Sequence, residues 1–253
     1  MDKFDLYTLC VQDPPRYVRF LQAIHGGRAR VLRDDFAGPG AIALAWARSD
    51  SARNAIAVDA DPVPLKRAKH PRVKLDVVDV RKTRSAADII ASLNFGVCEL
   101  HTRRELMAYL KNAHKTLKAG GVLVCDLYGG ATAMKRASWT QEFRTLSGQR
   151  VVYTWEQVEA EPTTGMVLNH IHFKLLNARG KVTENFEQAF EYCWRLWSIA
   201  ELREAMLEAG FKAVDVYDRI GAAIDGDGNL IVEPVELDEP LEKSWVVYVT
   251  GRK

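Results

Sequence analysis

The run Asp34-Asp35-Phe36-Ala37-Gly38-Pro39-Gly40 limits what this chain can fold into more than any other stretch. Before it, residues 30–34 read as a short buried strand; after it, residues 41–47 are rich in strong helix formers. Glycines at alternate positions between a strand and a helix let the backbone approach a ligand, and the first amides of the helix point outward toward it. A strand that feeds a helix in this way opens a βαβ unit, and the chain continues in kind. Residues 55–58, 73–78, 88–93 and 122–127 read as further strands, and residues 14–24 and 62–69 as helices. Thr102-Arg103-Arg104-Glu105 has capping-box spacing and starts an apolar stripe of Leu106, Leu110, Ala113 and Leu117 that ends before Gly120-Gly121. Ser198-Ile199-Ala200-Glu201 opens a last helix that stops at Gly210, followed by strands at 213–217 and 245–250. The alternation predicts an α/β fold: a Rossmann-like, mostly parallel seven-stranded sheet with helices on both faces.

The pattern changes between the fifth strand and that last helix. Residues 150–159, 166–176 and 182–192 are long strands joined by Pro162-Thr163-Thr164-Gly165 and Asn177-Ala178-Arg179-Gly180. We read residues 131–197 as an inserted antiparallel sheet, a lid within one domain spanning 1–253.

Three acids give the glycine turn its context. Asp34 precedes the glycines, Asp59 closes the second strand about twenty residues beyond them, and Asp79 closes the third. Ligands of open α/β sheets bind at these strand ends, where Asp59 is spaced to accept from ribose hydroxyls and Asp79 to reach a base. Asp34 suits an amino group, because a pyrophosphate beside it would be repelled. Taken alone, Gly38-x-Gly40-x-x-Ala43 also fits the dinucleotide fingerprint.

On these residues the chain resembles the class I S-adenosylmethionine-dependent methyltransferases, in particular a little-studied bacterial small-molecule subgroup. Asp34-x-Phe36-x-Gly38-x-Gly40 matches their first motif with Phe36 in place of a glycine. Asp59 matches their second, Asp79 their adenine-contacting acid, and Gly120-Gly121 their lead-in to the fifth strand. The likeness is good over about residues 31–127. It implies S-adenosyl-L-methionine as cofactor and S-adenosyl-L-homocysteine as product. The cofactor-binding set it implies is Asp34, Phe36, Ala37, Gly38, Gly40, Asp59, Ala60, Asp79, Val80, Asn94 and Phe95, the last two beside the transferred methyl. Phe36 either sets its ring beside the sulfonium or packs beneath the loop. Leu93-Asn94-Phe95-Gly96 lacks the Asn/Asp-Pro-Pro-aromatic sequence of nucleobase amine methyltransferases, and the inserted sheet resembles the lids of enzymes with small acceptors. The expected reaction is an in-line methyl transfer to nitrogen or oxygen of a small molecule. His170 and His172, on one face of their strand, and Tyr128, just past the fifth strand, are the candidates for a base or acceptor contact. The rival readings are an NAD(P)-dependent oxidoreductase and a non-catalytic S-adenosylmethionine-binding module.

Composition narrows the partners. A formal net charge of +2 over 253 residues makes no field that singles out nucleic acid or membrane. The basic cluster Lys66, Arg67, Lys69, Arg72 and Lys74 reads as a solvated face. Cys10, Cys98, Cys125 and Cys193 show no metal or disulfide spacing, and no metal is expected. The acidic N-terminus lacks the basic and apolar stretches of a signal peptide and no membrane-length apolar run occurs, so a cytoplasmic location is expected. Asp225-Gly226-Asp227-Gly228-Asn229 starts like a calcium loop but places Leu230 where glycine is required, and we read it as an acidic turn.

Overall fold

The computed structural model describes residues 1–218, 233–236 and 241–253. The acidic turn at 225–230 lies outside them. The chain forms two units, one of Pro14–Ala131 with Trp197–Lys253 and a smaller one of Met1–Asp13 with Thr132–Leu196.

In the larger unit the strands are β1 (Val31–Asp35), β2 (Asn54–Asp59), β3 (Val73–Val77), β4 (Ala87–Ser92), β5 (Leu117–Gly130), β10 (Ala213–Asp218) and β11 (Ser244–Arg252), in the order β10-β11-β5-β4-β1-β2-β3. β11 runs antiparallel to both of its neighbours, β10 and β5, and the other pairs are parallel. The predicted seven-stranded, mostly parallel sheet is therefore present. Leu32, Ala57, Ile89 and Val124 pack with Phe20 and Leu21 of α2 (Pro14–His25) and with Ile42 and Trp46 of α3 (Ala41–Ser49). Each fully buried Leu, Ile or Val side chain among them contributes about 1.5–3 kcal/mol. Arg33 and Asp35 alternate to the other face, where Tyr109 and Thr116 of α5 (Arg103–Thr116) receive them. The strand order reverses between β1 and β4. That reversal opens a crevice at their carboxyl ends, the place where ligands of such sheets bind.

In the smaller unit, α1 (Lys3–Val11) packs Leu6 and Tyr7 on a sheet of β6 (Ala137–Arg144), β7 (Arg150–Glu161), β8 (Met166–Leu176) and β9 (Val182–Arg195), in that order and antiparallel throughout. Tyr153, Ile171, Phe173 and Leu175 supply the apolar face beneath the helix. Lys3 ties the two together by donating to the Ala189 carbonyl at 2.9 Å.

Several boundaries differ from the sequence reading. The helix expected over 62–69 shortens to α4 (Pro62–Leu65), after which Arg67 and Ala68 bond back three residues, not four. Pro62 and Pro64 bring no amide to the ladder, and His70-Pro71 lies just ahead. Leu117, expected in the helix stripe, instead starts β5. Gly120, at φ +73°, then falls inside the strand, at a register shift against β4, and not before it. α1 and β6 were not expected. Lys66, Arg67, Lys69 and Lys74 are exposed, while Arg72 donates to the Ala47 carbonyl. None of the four cysteines is in a disulfide. Among the described residues no helix is long and apolar enough to cross a membrane. The last helix, α6 (Ile199–Glu208), carries the expected Ser198–Glu201 capping box.

Candidate functional site

The glycine turn leaves β1 with every second residue in left-handed backbone. Phe36 has φ +57°, Gly38 +51° and Gly40 +67°. Gly40 is obligatory on a second count, because a Cβ there would sit 2.5 Å from the Ala68 Cβ; at Gly38 the same position is open space. Phe36 thus holds a left-handed conformation that glycine adopts freely, at a strain of about 1–2 kcal/mol. Its ring meets Tyr109 edge-on at 5.8 Å and lies against Gly96, where a Cβ would come within 2.7 Å of it. These are packing contacts, one of the two placements open in the sequence. The support beneath it is polar: Asp35 accepts from Arg33 Nε and Nη2 at 2.8 and 2.9 Å and from the Tyr109 hydroxyl at 3.1 Å, all fully buried. Burial pushes the Asp35 carboxyl up, against the pull of the Arg33 guanidinium.

Asp34 points to the α3 side and is 3% exposed. The residue that caps α3 is Gly40, with no side chain to offer, so Asp34 Oδ2 accepts the Ala43 amide at 3.1 Å in its stead. Among the described residues no cationic side chain pairs with this carboxyl. Burial, reinforced by the nearby charges of Asp35 and Asp59, holds it well above the ordinary carboxylate range, although the Ala43 amide pulls the other way. Asp59 ends β2 as expected. Its Oδ2 accepts the Gly38 amide at 2.7 Å and its Oδ1 the Asp61 amide at 2.9 Å, which brings the second acid onto the glycine turn. Ala37 is buried and Ala60 exposed on either side of this contact.

Asp79 lies two residues beyond the end of β3, not at its end. Arg81 grips its carboxylate with Nε and Nη2, and hydrogen bonding from Arg81 holds it below the usual range despite partial burial. Arg81 also reaches Glu105 at 3.1 Å. Val80, next to it, is buried.

At the end of β4, Asn94 and Phe95 take left-handed backbone in succession, at φ +57° and +64°. Sequence reasoning found the pair and missed what holds it. Asp126, in β5, accepts the Asn94 amide on one oxygen at 2.8 Å and the Phe95 amide on the other at 2.7 Å. It is 2% exposed, and burial pushes its carboxyl up to about 7 even though both amides oppose the shift. An acid inside the apolar run Val122-Leu123-Val124-Cys125-Asp126-Leu127 was the signal available in the sequence. Phe95 packs edge-on to Tyr128 at 4.9 Å, so the structure brings this candidate to the β4 corner.

His170 and His172 belong to the smaller unit. They alternate against Ile171 and Phe173 as predicted, but both are engaged there. Nε2 of His170 lies 3.1 Å from Glu191 Oε2, and the residue is 7% exposed. Nδ1 of His172 accepts the amide of Gln188, a residue at φ +47° where β9 slips register against β8. In the neutral ring the proton is therefore on Nε2, which faces Glu156 Oε2 at 3.4 Å. A cavity of about 430 Å³ on this face is lined by Thr154, Glu156, His172, Lys174 and Glu187. The ligand atoms of Glu156, His170 and His172 lie within 4.8 Å of one another. A metal ligand needs a ring lone pair toward the ion and donates its other N–H, the reverse of what His172 does here.

Solved structures share this fold. An S-adenosylmethionine-dependent methyltransferase from Clostridium acetobutylicum superposes with a TM-score of 0.72 at 16% identity, over 98% of this chain and 96% of that one. CalS10 of Micromonospora echinaspora, an amino pentose methyltransferase solved with S-adenosylmethionine bound, gives 0.67 at 18%, over 98% and 95%. The sugar N-methyltransferase KedS8 from Streptoalloteichus gives 0.68 at 17%, over 100% and 94%. No protein-family model and no curated protein sequence matches the chain.

Proposed function

We propose that this chain binds S-adenosylmethionine at the carboxyl ends of β1, β2 and β4 and transfers its methyl group to a nitrogen or oxygen of a small molecule. The observation that carries the reading is the buried Asp34 carboxyl, unmatched by any described cation, beside an Asp59 that is already folded onto the glycine turn. A buried acid that lacks a countercharge is favoured in its ionised form by an incoming ammonium and disfavoured by a pyrophosphate. The amino-acid end of S-adenosylmethionine brings an ammonium; a dinucleotide brings phosphates.

When bound, that cofactor supplies a methyl on a sulfonium, and an acceptor lone pair displaces the thioether. The protein's part is orientation, for which holding two reactants in line is worth about 7–11 kcal/mol. Asp59 keeps acceptor capacity for hydroxyl donors after binding Gly38 and Asp61, since an ionised carboxylate offers about four lone-pair sites. Gly38 leaves open space where a side chain would stand. Asp79 would have to share its carboxylate between Arg81 and a base. Asn94 and Phe95 are assigned to the cofactor, beside its methyl group, and Tyr128 to the acceptor. Ala37, Gly40, Ala60 and Val80 are assigned backbone contacts.

The sugar and amino pentose methyltransferases that share the fold make an amino sugar the first acceptor to try. The test is a screen of amine- and hydroxyl-bearing metabolites with methyl-labelled S-adenosylmethionine. Release of S-adenosylhomocysteine together with a labelled acceptor is expected. Cofactor binding without turnover of any acceptor would favour a non-catalytic module, and a change in nicotinamide fluorescence on mixing would favour an oxidoreductase.

A further inference from the structure

We propose that Asp126 is the positioning residue of the site, holding the Asn94–Phe95 corner in the conformation that presents it to the cofactor; this rests on the methyltransferase reading above. Asn94 and Phe95 are successive residues in a backbone region that side chains rarely adopt, and nothing in their own chemistry selects it twice running. The Asp126 carboxylate supplies the selection from outside. It spends one oxygen on each amide, at 2.8 and 2.7 Å, which requires two acceptors at the spacing of a carboxylate. An Asn at the same place offers one acceptor and turns an NH2 against the other amide.

The corner does not end at Phe95. Its carbonyl accepts the Cys98 amide at 2.9 Å, starting a 3-10 turn, and Gly96 lies directly against Phe36 of the glycine turn. A shift of the corner therefore reaches both loops flanking the crevice between β1 and β4. Such a residue acts through its neighbours without touching cofactor or acceptor.

The test is Asp126→Asn, made at a pH above 7 so that the wild-type carboxylate is ionised, and read by calorimetric titration with S-adenosylhomocysteine and by amide exchange, with circular dichroism to establish folding. We expect affinity to fall at least tenfold, and exchange at residues 94 and 95 to speed at least tenfold while the amides of β1 and β2 keep their protection. In a background carrying Asn94→Gly and Phe95→Gly, where left-handed backbone needs no outside hold, the same Asp126→Asn change should cost less than threefold. A purely structural Asp126 would lower thermal stability equally in both backgrounds and leave affinity unmoved. Should the variant not fold, the wild type decides: S-adenosylhomocysteine should slow exchange at residues 94 and 95 at least tenfold. Wild-type binding with an unaffected variant, an additive cycle, or unchanged exchange on binding overturns the positioning role alone. A wild type that binds no S-adenosylhomocysteine overturns the methyltransferase reading and this inference with it.

Discussion

The two loops that flank the β1–β4 crevice reach left-handed backbone by opposite means. In the turn after β1 most of the conformational demand falls on glycines, and the one exception, Phe36, lies on a buried Arg33–Asp35–Tyr109 network. In the corner after β4 it falls on Asn94 and Phe95, and a single distant carboxylate meets it. The first loop is specified within its own segment; the second exists only once β5 is in place. Substitutions should therefore act differently in the two.

The largest effect is expected under the first loop. Asp35→Ala leaves the Arg33 guanidinium buried without its partner and should destabilise the protein by about 3–5 kcal/mol, read by denaturant unfolding. A loss under 1 kcal/mol would mean that the network does not support Phe36. Next comes Gly40→Ala, which combines left-handed strain of about 1–2 kcal/mol with overpacking against Ala68 of about 1–3 kcal/mol. Gly38→Ala, with the same sign of φ but open space around it, should show the strain alone. Equal losses at the two glycines would remove the close approach to Ala68 from the account. Asp59→Ala should weaken cofactor binding by about 1.5–3 kcal/mol with little change in melting temperature.

A further expected effect concerns pH and the second loop. Asp126 has a folded-state pKa of about 7, above the ordinary value near ~3.9, so the folded protein holds this proton more tightly than the unfolded chain does. Its contribution is most favourable below about pH 4 and is lost as pH rises to about 7. The difference in stability between wild type and Asp126→Asn should slope downward across that window and flatten above it. A flat difference throughout would mean that Asp126 ionises as an ordinary carboxylate.

The same contrast explains what was legible in the sequence. The glycine turn, Asp59 and the capping boxes at Thr102 and Ser198 are local signals, so they could be read directly, and the parallel sheet followed from the strand and helix alternation. The hold of Asp126 on Asn94 and Phe95 links β5 to the end of β4 and leaves no local trace beyond an acid in an apolar run. β6 is almost wholly exposed, so its strand shows none of the alternation that marks a half-buried one. α1 buries only Leu6 and Tyr7, too few to draw a stripe, although Asp2 and Asp5 form a capping box that was there to be seen. The alternation of His170 and His172 was readable, whereas their partners were not: Gln188 reaches His172 only because β9 slips register there.

The central claim, that an ammonium-bearing nucleoside completes the unmatched Asp34, is tested most directly by calorimetric titration of the wild type with S-adenosylhomocysteine in buffers of different ionisation enthalpy. Asp34 is held above the ordinary carboxylate range before binding, and an ammonium favours its ionised form. Binding should therefore release protons, and affinity should rise with pH above the ordinary carboxylate range until Asp34 is ionised in the free protein. No binding at millimolar ligand to the folded protein, or binding with proton uptake and affinity that falls as pH rises, would contradict it.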